Sequence, residues 1–99
     1  MNVRINAVKF DADEKLEQFI EKKVSKLARY FDEIIDAEVF LKLEHAADLE
    51  NKVVEIKLDI PGSDLFARKQ SKSFEEATDI VVDALKQQIL KHKEKLRGL

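Results

Sequence analysis

The feature that most constrains the fold is the spacing of the apolar residues, which changes its period along the chain. Over residues 2–9 apolar and polar side chains alternate, which is the pattern of a half-buried β-strand. From residue 11 to Phe31 the apolar residues recur every three or four positions, which predicts an amphipathic helix. Asp11 or Asp13 can supply its N-cap, because a short carboxylate accepts hydrogen bonds from the first free backbone amides.

The second half of the sequence repeats this change of period. Alternation over residues 37–43 and 54–60, on either side of a polar loop, predicts the two antiparallel strands of a hairpin. A Pro-Gly-Ser-Asp turn signal then precedes a short fourth strand over residues 65–70. A Ser-Phe-Glu-Glu capping box opens a second helix, which is predicted to cover about residues 74–97.

This order, β-α-β-β-β-α, predicts a two-layer α+β sandwich. Two amphipathic helices each need an apolar surface, and one face of a four-stranded sheet supplies it, so both helices are expected on that face and roughly parallel. With 99 residues, of which 44% are hydrophobic, the chain is expected to form one domain over residues 1–99. The other face of the sheet is expected to be left to solvent, with Glu38, Lys42, Glu55, Lys57 and Asp59 on it.

The composition argues against several classes of function. The chain has no cysteine, which excludes a disulfide scaffold, a thiolate zinc site and a cysteine nucleophile. Its two histidines, His45 and His92, lack the spacing of metal ligands, and its two glycines form no phosphate-binding loop. His92 falls on the apolar stripe of the second helix, where its ring is expected to pack at the edge of the core. We therefore expect no catalysis, no metal, no cofactor and no small-molecule substrate.

The sequence shows no sign of export or of membrane insertion. It opens without the apolar core of a signal peptide, and no apolar run approaches the roughly 18 residues that a membrane helix needs. A cytoplasmic protein that does not bind membranes is therefore expected. The formal net charge is −2, so binding to nucleic acid would have to depend on a local basic patch.

Such a patch is predicted on the first helix. On a helical wheel, Lys15, Lys22, Lys26 and Arg29 share a sector of about 60°, and Lys23 lies closer to the core boundary. The glutamates of this helix fall on the opposite flank. Mixed charges would serve solubility better, so the segregation suggests two interpretations, an anion-binding surface or a merely solvated face.

The second helix separates its charges along its axis. Carboxylates occupy its first half and cations its second half, which is the arrangement that the helix dipole favours. The dipole effect fades within about one turn of the helix end, whereas Lys86 and Lys91 lie well inside the helix. Part of this charge is therefore expected to serve anion binding. The five cations are Lys86, Lys91, Lys93, Lys95 and Arg97.

The two helices together are expected to form one surface that suits a phosphate backbone. Lysines supply salt-dependent attraction, and arginines such as Arg29 and Arg97 can fork onto phosphate oxygens. Arg68, Lys69 and Lys72 precede the second helix and are expected to extend this surface.

Three segments resemble the family of ribosome hibernation-promoting factors and ribosome-associated inhibitor A, which is also labelled as sigma-factor modulation proteins. These segments are RYFDEI at residues 29–34, PGSDLFA at residues 61–67, and the pattern D-x-x-V-D-x-L-x-x-Q-I-x-K-H-K-E-K-L at residues 79–96. The resemblance covers essentially the whole chain, and the fold of that family has the same β-α-β-β-β-α order.

The resemblance implies an inhibitor of translation in stationary phase. Such a protein would bind the small ribosomal subunit between head and body, with the basic residues of both helices against ribosomal RNA. It would exclude messenger RNA and transfer RNA by steric competition, without chemistry. The family's basic positions correspond to Lys23, Lys26 and Arg29, with Lys22 beside them, and on the second helix to Lys91, Lys93 and Lys95.

The chain departs from the family pattern at a few positions. The family usually has a lysine and an arginine where this chain has Ala84 and Gln87, and an aromatic residue where it has Glu75. The first strand also lacks the common basic residue at Val8. These departures are expected to change the detailed RNA footprint more than the binding itself.

Two further expectations concern partners. The sequence stops directly after the second helix, so the resemblance predicts a short member without the C-terminal domain that joins two ribosomes; whether a second hibernation factor joins it in pairing ribosomes stays open. The alternative function is a protein-interaction module, either a regulator of a transcription factor or a homodimer through a sheet edge or Phe40. Insensitivity of binding to salt would favour that alternative, because phosphate contacts produce a steep salt dependence.

Overall fold

The computed structural model describes residues 1–45 and 47–96. It confirms the predicted order of elements and the α+β class. A short 3₁₀ helix, Lys26–Arg29, directly follows the first α-helix. The strands and α-helices are β1 Asn2–Ala7, α1 Glu14–Ser25, β2 Asp36–Leu43, β3 Lys52–Ile60, β4 Ser63–Ser71 and α2 Phe74–Leu96.

The four strands form one sheet in the order β1-β2-β3-β4. β1 and β2 are parallel, with Ile5 opposite Val39, because α1 carries the chain back across the sheet between them. The other two pairs are antiparallel, with Val39 opposite Ile56 and Ile56 opposite Ala67. The tight turn between β3 and β4 contains Gly62 at φ 77°, a conformation that only glycine adopts without strain.

Both helices cover the same face of this sheet, as predicted. Ile20 and Val24 of α1 and Leu85 and Ile89 of α2 are fully buried in one cluster with the inward row of β3, including Ile56. Burying a side chain of this size stabilises the fold by roughly 1.5–3 kcal/mol. The core between the two layers therefore fixes where each helix lies on the sheet.

The two helices run in the same direction, which also agrees with the prediction. Lys23 of α1 contacts Asp79 near the start of α2, and Phe31, just beyond the 3₁₀ helix, contacts His92 near the end of α2. The rings of Phe31 and His92 meet edge to face, with their centroids 5.6 Å apart. The expected packing of the His92 ring at the edge of the core is therefore confirmed.

Side chains cap the N-termini of both helices. The Asp13 carboxylate accepts a hydrogen bond from the Leu16 amide at 2.8 Å, so Asp13 and not Asp11 is the N-cap of α1. The Ser73 hydroxyl accepts one from the Glu76 amide at 3.1 Å. The Glu76 carboxylate, however, accepts a hydrogen bond from the Ser71 hydroxyl, so it ties the end of β4 to the first turn of α2.

The predicted ends of the first α-helix and of the first strand were both too late in the sequence. The first α-helix was expected to reach Phe31, but it ends at Ser25 and continues as the 3₁₀ helix, which the Tyr30 amide closes by donating to the Leu27 carbonyl at 3.0 Å. Such tightening supplies partners for backbone groups at a helix end. β1 ends at Ala7 and not at residue 9, because Lys9 takes the left-handed conformation at φ 64°.

The outer face of the sheet is less open to solvent than predicted. The Glu55 side chain is only 16% exposed, because Lys42 and Arg68 lie on either side of it at 3.1 Å. Arg4 pairs in the same way with Glu38 at 3.4 Å. Long side chains on neighbouring strands thus cover one another, and the cations of this face are matched by carboxylates.

Candidate nucleic-acid interface

Three exposed cations line one side of the first helix and its 3₁₀ extension. Lys22, Lys26 and Arg29 surround a shallow depression that also includes Ser25. The spacing of three and four residues places them together in α-helical or 3₁₀ backbone. None of the three forms an ion pair with a carboxylate of residues 1–45 or 47–96. They are therefore available to an anionic partner, and we call them the α1 cations.

Lys23 points from this helix toward α2 and is already engaged. Its ammonium group lies 3.2 Å from the Asp79 carboxylate and 5.5 Å from the centre of the Phe19 ring. Its side chain is 35% exposed, which agrees with the predicted position near the core boundary. An anion that binds Lys23 would have to compete with Asp79.

Lys86 makes the corresponding contact from α2 to α1. Its ammonium group lies 4.8 Å from the centre of the Tyr30 ring, which is a cation–π geometry. Both residues are half-buried. Such a contact leaves the ammonium free to donate hydrogen bonds outward, so Lys86 keeps a charge at the boundary between the helices.

A groove runs between the two helices beneath these contacts. It has a volume of about 210 Å³, and Leu27 and Val82 form its apolar lining. Its polar residues are Lys23, Lys26, Tyr30, Asp79, Asp83 and Lys86. Sequence reasoning had assigned the two aspartates to the helix dipole and did not place them beside the lysines of α1. A wheel drawn for one helix cannot show which residue of the other helix it faces.

The remaining cations of α2 divide between its two flanks. At 100° per residue, Lys93 lies on the same flank as Lys86, which faces α1. Lys91 and Lys95 lie on the flank that faces β4, where Gln88 donates a hydrogen bond to the Phe66 carbonyl at 2.8 Å. Lys91 and Lys95 are exposed and Lys93 is half-buried. The predicted α2 cations thus lie along both sides of the exposed surface of the helix, and Arg97 lies outside the described residues.

The expectation that Arg68 extends this basic surface was wrong. Arg68 lies on the outer face of the sheet, where its guanidinium donates to Glu44 at 2.8 Å and to Glu55 at 3.1 Å. Hydrogen bonding to Glu44, supported by Glu55, raises the pKa of Arg68 above its ordinary value. Alternation along β4 put this side chain on the face opposite the helices, so it cannot join the α1 cations.

The described residues offer little support for two other kinds of site. Among residues 1–45 and 47–96, no group of three histidine, aspartate or glutamate side chains is arranged to hold a metal ion. No helix in that part of the chain is long and apolar enough to cross a membrane.

The fold and the charge distribution define the class: a small α+β domain with cations on its helical side and paired charges on the other face of its sheet. The model of the family described as "Sigma 54 modulation protein / S30EA ribosomal protein" matches residues 3–97. The chain belongs to this family, which agrees with the resemblance noted in its sequence.

Individual relatives agree with this membership. The ribosome hibernation promoting factor of Azotobacter vinelandii is 33% identical over 95 residues, which cover 96% of this chain and 85% of that protein. The ribosome hibernation promotion factor of Bacillus subtilis is 35% identical over 98 residues, which cover 97% of this chain and 50% of that protein. The crystal structure of the N-terminal domain of Thermus thermophilus Protein Y has a TM-score of 0.80 at 27% identity, with 93% of this chain and 99% of that domain covered. The names of the two factors describe ribosome hibernation and not a catalysed reaction.

Proposed function

We propose that this protein is a ribosome hibernation factor that binds ribosomal RNA of the small subunit in the channel for messenger and transfer RNA. By occupying the decoding region it blocks translation sterically in stationary phase, in the cytoplasm and without a catalysed step. The names of the two relatives support the association with the ribosome. The α1 cations support RNA as the direct partner, because they are exposed, adjacent and unmatched by carboxylates of the described residues.

The single observation that carries this proposal is the contrast between the two sides of the domain. On the outer face of the sheet, Arg4, Lys42 and Arg68 each lie within 4 Å of a carboxylate oxygen. On the helical side, Lys26 and Arg29 have no such partner within the described residues. A chain with a net charge of −2 therefore presents a local positive patch at the α1 cations, and phosphate groups would bind there.

Co-sedimentation with purified small ribosomal subunits over a series of salt concentrations tests the proposal. The wild-type protein should pellet with the subunit at low salt and dissociate as the salt concentration rises. Messenger RNA together with initiator transfer RNA should displace it, because all three would occupy the same channel. A protein that never pellets with the subunit would refute the proposal, and binding that does not respond to salt would favour a protein partner.

A pair of matched variants identifies the surface. The double variant Lys26→Gln/Arg29→Gln removes two of the α1 cations, and Arg4→Gln/Lys57→Gln removes two cations of the outer sheet face. Each changes the net charge by the same amount. Each lost phosphate contact lowers the slope of log affinity against log salt by roughly 0.7–0.9, so the first variant should lose about 1.5 from the slope. The second variant should bind as the wild type does; equal losses in both would contradict a helical interface.

A further inference from the structure

The groove between α1 and α2 differs in chemistry from the surface on either side of it. Lys22 and Arg29 flank it on α1, and Lys93 continues it along α2. Within it, Asp79 and Asp83 place two carboxylates on the α2 wall. Lys26 and Lys86, which also line the groove, would hold phosphate groups at its rim, whereas the Asp83 carboxylate would repel them. The part of an RNA strand that meets Asp83 should therefore be uncharged.

The shape and lining of the groove suit a nucleobase. Its volume of about 210 Å³ is below the roughly 300–1,000 Å³ of pockets that hold drug-sized ligands, and it is enough for a single ring system. Half-buried Val82 offers an apolar surface to the flat face of a ring, above Leu27, which is only 1% exposed. Tyr30 adds an aromatic side chain, although Lys86 already lies over its ring. RNA-binding proteins commonly hold unstacked bases in this way, on aromatic side chains and with hydrogen bonds to the base edge.

A free carboxylate on the groove wall would discriminate among bases. Asp79 already forms an ion pair with the Lys23 ammonium group at 3.2 Å. Asp83, in contrast, has no ion pair or side-chain hydrogen bond with any described residue. An ionised carboxylate can only accept, and its two oxygens can accept two neighbouring donors. Guanine presents two such donors side by side on its Watson–Crick edge, the N1–H and the N2 amino group, whereas adenine, cytosine and uracil each present one donor group there.

We propose that this groove binds one unstacked guanine of the ribosomal RNA, with the Asp83 carboxylate accepting hydrogen bonds from its N1–H and N2 amino groups. This inference rests on the proposed function, because the flanking cations must first bring the RNA to the groove. It assigns the α1 cations to the positioning of the phosphate backbone and Asp83 to the choice of base, which are separate tasks in nucleic-acid recognition.

Kethoxal probing of the small-subunit RNA tests the proposal, because kethoxal modifies guanine at the same N1 and N2 atoms. Subunits are treated alone and with wild-type protein, Asp83→Asn or Glu94→Gln, and the modified guanines are located by primer extension. Both variants remove one exposed carboxylate of α2, but Glu94 does not line the groove. In Asp83→Asn an amino group replaces one of the two accepting oxygens, so one of the two neighbouring donors of guanine would face another donor. Pelleting of each protein with the subunit is measured in parallel.

We expect wild-type protein and Glu94→Gln to protect a guanine that returns to full modification with Asp83→Asn, while all three proteins still pellet. If all three pellet but no guanine depends on Asp83 for its protection, the groove does not read guanine and the proposed function stands. If the wild-type protein does not pellet even at low salt, the proposed function fails and this inference fails with it. Thermal unfolding of each variant, followed by circular dichroism, confirms that a lost protection does not reflect a lost fold.

Discussion

The strength of the ion pair between Lys23 and Asp79 decides whether an RNA phosphate can take the place of Asp79 beside Lys23. The two side chains are 35% and 54% exposed, and the nitrogen and oxygen are 3.2 Å apart. Pairs this open to water contribute roughly 0.2–1 kcal/mol, because solvent screens the attraction and the side chains lose rotamer freedom. A phosphate could therefore replace Asp79 at little cost.

A double-mutant cycle measures this pair directly. Urea unfolding of the wild type, Lys23→Met, Asp79→Asn and the double variant gives the coupling free energy, which we expect to be about 0.5 kcal/mol at low salt. It should fall further as salt is added, because the pair is exposed to the screening ions. Lys23→Met combined with Glu94→Gln is the control cycle, since no ion pair joins those residues, and its coupling should be near zero.

The same pair makes a prediction about binding. Asp79→Asn frees Lys23 and removes a negative charge from the groove, so it should strengthen association with the small subunit and steepen its salt dependence. A coupling above about 2 kcal/mol that does not change with salt would refute this reasoning, because it would show that Lys23 is held in a desolvated network. Weaker binding of Asp79→Asn would do so as well.

Three predictions concern the fold itself, and urea unfolding checks each of them. Leu85→Ala removes a fully buried side chain between α2 and the sheet and should lower the free energy of unfolding by roughly 2–5 kcal/mol; a loss below 1 kcal/mol would mean that the core is not packed there. Asp13→Ala should cost about 1 kcal/mol through loss of the helix cap, and Asp11→Ala should cost much less; equal losses would contradict the assignment of the cap. Gly62→Ala should cost roughly 1–2 kcal/mol because of the left-handed backbone at the turn, since no atom would obstruct the added methyl group; an unchanged stability would argue against that turn geometry.

The sequence was sufficient for the architecture because each element carries a local signal. Alternation and helical periodicity depend only on neighbouring residues, so the order of elements, the shared face of the helices and the burial of residues such as Leu85 follow from them. The ends of elements do not. The change from α to 3₁₀ geometry after Ser25 and the left-handed turn at Lys9 depend on how the chain enters the next element, which local periodicity does not record.

The candidate site was predicted in part for the same reason. Helical spacing was enough to place Lys22, Lys26 and Arg29 on one side of the first helix. It could not show that Asp79 would take the ammonium of Lys23, because that contact depends on the offset between two helices. The sequence did carry a signal for Arg68, however, because alternation along the fourth strand puts Leu65 and Ala67 on the inner face and therefore Arg68 on the outer one.

The cations of α2 can serve either the helix dipole or an interface, and their positions in the structure distinguish the two roles. Lys93 and Lys95 lie in the last turn of the helix, where cations stabilise it by roughly 0.3–1 kcal/mol each, so their presence alone does not argue for RNA. Lys86 lies too far from that end for the dipole to matter and instead contacts Tyr30 across the groove. The charge of Lys86 is therefore better explained by its contact between the two helices than by the dipole of α2. Lys86→Met should therefore weaken subunit binding, and any loss in thermal stability should come from the cation–π contact with Tyr30 and not from the helix dipole. Unchanged subunit binding by Lys86→Met would return Lys86 to a purely structural role.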